Sequence, residues 1–360
     1  MINRSVTLSA CMLLSAAYSW CGQGASKQVA ANEATPVTMA TPEASGHLHL
    51  ETTKIPSELA GSFPSPLKCD ADENLYLRTG EDLRTAIRKL SPKGELLALF
   101  QPAAPDLKVD FGAYFSVGHD GDVYQLIYAH EISRYVFVYK SDGTFKSKIK
   151  LQPGFPWLPS TLAPFWSGDL LISGQTISKD PNAPLEPFTG IFAPDGTLRK
   201  EVALEDDEKL GDMLATHDTQ VFTPQNPTNN RAISSGAAES AMDGNVYLMR
   251  RLSPALFYVI SPGAVVRRFT VDPGKSGLTP TTMHIAGNRI AVLFRDSQTN
   301  NKVLKVVDLE GQKIASYEEP IVDGKKALGG AFVCYANNPE RFMFLTTMED
   351  ERLGVIVATP

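Results

Sequence analysis

From Cys69 to the C-terminus the chain repeats one alternation: a polar turn rich in Asp, Asn and Gly, then an apolar run. It reads Asp72-Glu73-Asn74-Leu75-Tyr76-Leu77, Asp120-Gly121-Asp122-Val123-Tyr124, Ser167-Gly168-Asp169-Leu170-Leu171-Ile172 and Asp243-Gly244-Asn245-Val246-Tyr247-Leu248. Looser copies are Ala286-Gly287-Asn288-Arg289-Ile290 and Asn338-Pro339-Glu340-Arg341-Phe342. Gly, Asn and Asp tolerate the positive φ of a tight hairpin, and β-branched or aromatic residues suit the strand that follows. A second signature trails each turn: an apolar strand, a glycine and another strand. Tyr135 to Tyr139 before Asp142-Gly143, Gly190 to Ala193 before Asp195-Gly196 and Val303 to Leu309 before Gly311 show it most clearly, and Leu256 to Ile260 before Gly263 is weaker.

One unit is therefore four strands, A to D, with the first turn joining A to B and the second joining C to D. The B strands begin at Leu75, Val123, Leu170, Val246, Ile290 and Phe342, so most units have the length of a propeller blade and the third carries an insertion. The expected fold is all-β, a six-bladed β-propeller of four-stranded blades spanning residues 47–360. The sixth unit ends after its strand C, Gly354 to Ala358, and lacks a strand D. The alternating segment His47 to Thr53 is the candidate for that missing strand, which would close the ring and remove an exposed edge.

Composition fits a folded body, with 43% hydrophobic and 21% charged residues. A formal net charge of −6 without a Lys/Arg run argues against a nucleic-acid surface. Residues 1–25 hold a single charge, Arg4, before an apolar stretch from Val6 to Trp20, which reads as an export signal too short to span a membrane comfortably. Export to the periplasm or the extracellular space is the expectation, with no transmembrane span in the mature chain. Cys21 is where a lipid anchor would attach, but Tyr18 and Trp20 are bulky where that signal wants small or aliphatic residues. Residues 26–46, rich in Ala, Thr, Pro and Glu, read as a disordered tether.

Turns of the type Asp243-Gly244-Asn245-Val246-Tyr247, six to a chain, resemble those of the six-bladed NHL and TolB-like propellers. The resemblance implies the fold over residues 47–360. It selects no function, because that group holds enzymes, ligand sensors and protein-binding scaffolds. NHL blades carry an Asp inside strand B and an Asn-x-Arg before strand C. Here only Ser133-Arg134 matches the second, and Arg250 or Phe294 fills the Asp position.

The chemistry on offer is sparse. With the signal removed, Cys69 and Cys334 remain, both on A strands of blades that become neighbours on closure, so a disulfide would staple the ring. If the longer turn after Cys334 absorbs two extra residues, however, the cysteines are equivalent positions that point the same way round the ring and stay apart. Lys68 and Glu239 each stand seven residues before a strand B in opposite blades, either to bind a zwitterion across the channel or to neutralise each other. No motif calls for a cofactor or metal. His284 reads as an interior residue, His119 as a turn residue on the face away from the usual site, and His217-Asp218 belongs to the insertion, Glu205 to Glu239.

That insertion shares a rim with the ends of every strand B, and basic residues collect there: Arg78, His130, Arg250, Arg251 and Arg295. Such a rim would attract a carboxylate, phosphate or acidic peptide, unless Glu81, Asp82, Glu131 and Asp296 neutralise it. The sequence thus points to a binding protein whose loop face takes a protein, a peptide or a small anionic ligand. The alternatives are a metal-dependent hydrolase or lyase working in the channel, and a structural module of a cell-envelope assembly.

Overall fold

The computed structural model describes residues 45–46, 48–55, 66–78, 83–130, 133–177, 186–204, 238–348 and 353–360. Six four-stranded units surround a central axis. Their inner A strands are Lys68–Cys69, Val109–Val117, Trp157–Pro164, Ala238–Ser240, Leu278–Ala286 and Ala331–Asn337. Strands B to D follow outward in chain order within blades one to five, all antiparallel. The expected signal, tether and most of the insertion (residues 205–237) lie outside the described residues, as do His217-Asp218, Glu81, Asp82 and Glu131.

The polar turns do what their composition predicts. In blades one to four the A–B turn is the same hydrogen-bonded loop, beginning at Asp70, Gly118, Phe165 and Ala241, with its fourth residue left-handed: Glu73, Gly121, Gly168 and Gly244. Glu73 shows that glycine is preferred there and not required. Blade four's C–D turn makes the same point, since Ala264 and not Gly263 carries the positive φ of 60°. Gly196 has a stricter role: a Cβ there would lie 1.9 Å from the Lys150 carbonyl oxygen of the preceding blade.

Alternation along the strands sends one row of side chains towards each neighbouring blade. Tyr76, Ile87 and Phe100 of blade one thus pack on Phe115, Val123, Ile127 and Phe137 of blade two. Each large apolar side chain so buried contributes on the order of 2 kcal/mol. The sheets are held face to face, so each blade is stabilised by its neighbours.

The N-terminal segment runs across two blades. Ser45–Gly46 pairs in parallel with the outer strand Lys313–Glu318 of blade five. His49–Lys54 then pairs antiparallel with Leu353–Thr359 as the fourth strand of blade six. Most of that strand is exposed, and its anchors are the flanking Leu48 and Ile55, both buried. Ile55 N–H donates to the Leu353 carbonyl at 3.0 Å.

Cys69 and Cys334 form a disulfide with Cα atoms 5.3 Å apart. Strand register explains why they converge. Cys69 pairs with Leu75, the first apolar residue of its strand B, whereas Cys334 pairs with Met343, the second of its own. Blade six in fact turns through two residues, Asn338-Pro339, a shorter turn than that of blade one, and its extra residues lie along the paired strands. The cysteines differ by one register step, so one faces forward round the ring and the other back, into the apolar cluster between blades six and one.

A chain beginning at Lys54 is expected to melt well below the full chain, because it loses the outer strand of blade six and the Leu48 anchor. Leu48→Ala alone should cost about 2–5 kcal/mol by urea unfolding. Equal midpoints for the full and shortened chains would show that the segment does not support the ring.

Candidate functional site

Strand register also identifies a ring of inner positions. Lys68, Ser116, Ala163, Glu239, His284 and Cys334 pair with Tyr76, Tyr124, Leu171, Tyr247, Ala291 and Met343, the second apolar residue of each strand B. Three of the six are ionisable, and they meet. Lys68 Nζ donates to Glu239 Oε1 at 2.8 Å and to the Ala238 carbonyl at 3.0 Å, so blades one and four are joined directly across the channel. His284 Nδ1 lies 3.0 Å from the same carboxylate oxygen, and Ile285 N–H donates to Oε2 at 2.8 Å. Tyr114 of blade two donates its hydroxyl to the Ala238 carbonyl at 3.3 Å.

Burial alone would raise the Glu239 carboxyl, but the Lys68 ammonium and His284 more than offset it and hold it at about 2. Desolvation likewise pulls Lys68 down, and Glu239 outweighs that pull and raises it. Both groups are charged at neutral pH, and each is the other's counterion. Of the two roles the sequence leaves open for this pair, the structure has them neutralise one another. The bridge is a polar plug at the waist of the channel.

Above the plug, on the A–B-turn side, opens a funnel of about 480 Å³, with Lys68, Glu239 and Ser116 among its lining. The second residue of the repeated turn stands on its rim: Ala71, His119, Trp166 and Met242 in blades one to four. Trp166 is 46% exposed and stacks on His119 with centroids 4.5 Å apart, while Met242 is 67% exposed. Blades one and six complete the wall with Asp70, Asp72, Glu73, Asn337 and Asn338. One side of the funnel is thus apolar and aromatic, and the facing side carries carboxylates and amides.

This is the opposite end of the ring from the predicted basic rim, and that rim is largely spent on structure. Arg78 is 1% exposed and donates to the carbonyls of Leu83, Gly112 and Ala113, pinning blade one to blade two. Burial lowers its guanidinium to about 10. Arg251 donates to the Thr281 carbonyl at 3.0 Å and pins blade four to blade five in the same way. Arg250 is 1% exposed with its guanidinium 5.6 Å from the Tyr258 ring. Arg295 and His130 remain exposed. The physical reason is the blade interface itself: a long cation just past strand B meets the unpaired carbonyls of the next inner strand.

Sequence reasoning recovers Lys68 and Glu239 through their shared offset, and misses His284 as their partner. Blade five joins strands A and B through a two-residue turn, Gly287-Asn288, so counting residues displaces His284 by one. His119 and Trp166 carry the only available signal for the funnel, two aromatic residues at one position of successive turns. Among the described residues no three His, Cys, Asp or Glu side chains converge as a metal site would require.

No family model matches the chain, and no curated protein matches it. Among solved structures it is similar to a protein of unknown function from Bacteroides caccae, at 12% identity over 70% of this chain and 80% of that one, with a TM-score of 0.41. The site is therefore read from its own residues.

Glu239→Gln should destabilise the protein by about 3–5 kcal/mol at pH 7, because it leaves the Lys68 ammonium, only 3% exposed, without its charge partner. The folded-state carboxyl lies below its unfolded value, so its contribution is complete above about pH 4.5 and lost as pH falls towards 2. Melting temperatures measured from pH 7 down to pH 3 should fall less steeply in the variant than in the parent. Parallel curves would mean that Glu239 is not the ionised keystone described here.

Proposed function

We propose that this chain is an exported, non-catalytic binding protein of the NHL/TolB-like kind, holding a small ligand at the A–B-turn mouth of its central channel. The observation that carries the reading is a floored funnel: a concave space with a satisfied ion pair at its base and exposed aromatic and thioether side chains facing polar ones. Ligand sites commonly combine such a cavity with few, convergent polar groups, and a volume near 480 Å³ suits a small molecule. Lys68, Glu239 and His284 are engaged with one another, which favours a structural floor over an acid–base or nucleophilic role. The apolar stretch Val6 to Trp20 and the Cys69–Cys334 bond support an oxidising, exported setting. The turn sequence Asp243-Gly244-Asn245-Val246-Tyr247 supports the likeness to NHL and TolB-like propellers.

A second reading places a protein, a peptide or an anionic group on the opposite rim. The exposure of Arg295 and His130 favours it. A ligand-observed NMR screen of small fragments decides between the two. On the first reading, hits compete for one site, weaken about tenfold or more in Trp166→Ala, a loss of about 1.4 kcal/mol, and ignore Arg295→Ala. Hits that ignore Trp166→Ala and are lost in Arg295→Ala would move the site to the other face.

A further inference from the structure

The charge bookkeeping of the funnel narrows the ligand class. Of the carboxylates around it, Glu239 is bridged to Lys68 at 2.8 Å, Asp70 to Lys89 at 3.0 Å, and Glu73 to Arg341. Although Lys146, bridged to Asp122 at 2.5 Å, also feels the Asp120 charge, Asp72 and Asp120 form no direct ion pair among the described residues. Both are exposed, and both occupy the third position of the repeated A–B turn, in adjacent blades one and two. In blade four the equivalent Asp243 is occupied locally, accepting from Tyr247 Oη at 2.8 Å and Asn245 Nδ2 at 2.8 Å. Asp120 accepts only the Asp122 N–H, at 3.1 Å, so the two carboxylates without a direct ion pair sit together on one sector of the wall.

A second observation comes from the floor. Ser116 occupies the inner-ring position of blade two, the one held by Lys68 and Glu239 in blades one and four. It is 1% exposed, it lines the funnel, and its hydroxyl has no hydrogen-bond partner among the described residues. A ligand donor reaching the floor would give that hydroxyl a partner. Beside this sector, on blades three and four, stand Trp166 and Met242, both open to the funnel. An aromatic face next to carboxylates favours a cation twice over, through the ring quadrupole and through direct charge pairing.

We propose that the funnel recognises a ligand bearing an ammonium group on an apolar or aromatic body. The ammonium is received by Asp72, Asp120 and the Ser116 hydroxyl, and the body lies against Trp166 and Met242. This rests on the funnel being the binding site and adds the sign of the charge it selects. That sign is opposite to the one expected for the far rim. The same chemistry is presented by a free amine and by a lysine beside an aromatic residue in a peptide.

Isothermal titration of the full chain with three isosteric probes tests it: 2-phenylethylamine, the neutral 2-phenylethanol and the anionic 3-phenylpropionate. The amine should bind about tenfold or more tightly than the alcohol, the anion should not bind, and added salt should weaken the amine alone. Asp72→Asn/Asp120→Asn should abolish the preference for the amine without lowering the melting temperature, since both side chains are exposed, and Ser116→Ala should weaken the amine further. An N-acetylated, C-amidated Phe-Lys dipeptide binding as well as the amine or better assigns the ammonium to a polypeptide, and binding of the free amine alone assigns it to a small molecule. If amine and alcohol bind equally and both are lost in Trp166→Ala, the charge inference is wrong and the funnel site stands. If the amine binds but ignores both Trp166→Ala and the aspartate variants, the funnel is not its site. Failure of the amine to bind at all overturns the inference.

Discussion

The carboxylate of Glu239 is the point on which the inner ring converges. It accepts from an ammonium of the opposite blade, lies within hydrogen-bond distance of a histidine of the next one, and accepts from a backbone N–H of that same blade. A charge in that position is costly to desolvate, and the cost is offset because both carboxylate oxygens are engaged. Its bridge to Lys68 spans the channel from blade four to blade one and floors the funnel that opens on the A–B-turn side. The short A strand of blade four, Ala238–Ser240, also reaches blades one and two, since the carbonyl of Ala238 accepts from both Lys68 and Tyr114. Polar groups at the axis thus complement the apolar layers between blades: the layers hold neighbours together, and the plug holds opposite sides.

Much of this was legible in the sequence, and the parts that were not share a cause. Turn chemistry is local, so Gly121, Gly168 and Gly244 announce their left-handed positions and with them the blades. Lys68 and Glu239 were recoverable because blades one and four have A–B turns of equal length. Where turn length varies, counting fails. It hid His284 behind the two-residue turn of blade five, and it made the two cysteines look equivalent when a single register step turns them towards each other. Register is set by hydrogen bonding between strands, and a residue count sees only the sum of turn and strand.

The fate of the basic rim was harder to read. Five basic residues after strand B form a pattern in sequence, but a long guanidinium beside a strand end has two fates that sequence alone does not separate. It can face solvent, or it can fold inward onto the carbonyls of the next blade, as Arg78 and Arg251 do. The funnel left a fainter trace because its apolar side is assembled from single residues, His119, Trp166 and Met242, each in a different turn more than forty positions from the next. Only the ring brings them side by side, and only the plug gives them a floor.

The central claim is that the Lys68–Glu239 bridge spans the channel and floors the site. A crystal structure of the protein soaked with 2-phenylethylamine measures this most directly. The account predicts the bridge intact, with ligand density above it against Trp166 and its nitrogen within hydrogen-bond distance of Asp72, Asp120 or Ser116. A parted bridge with continuous solvent through the axis, or ligand bound at the Arg295 end of the ring, would contradict it.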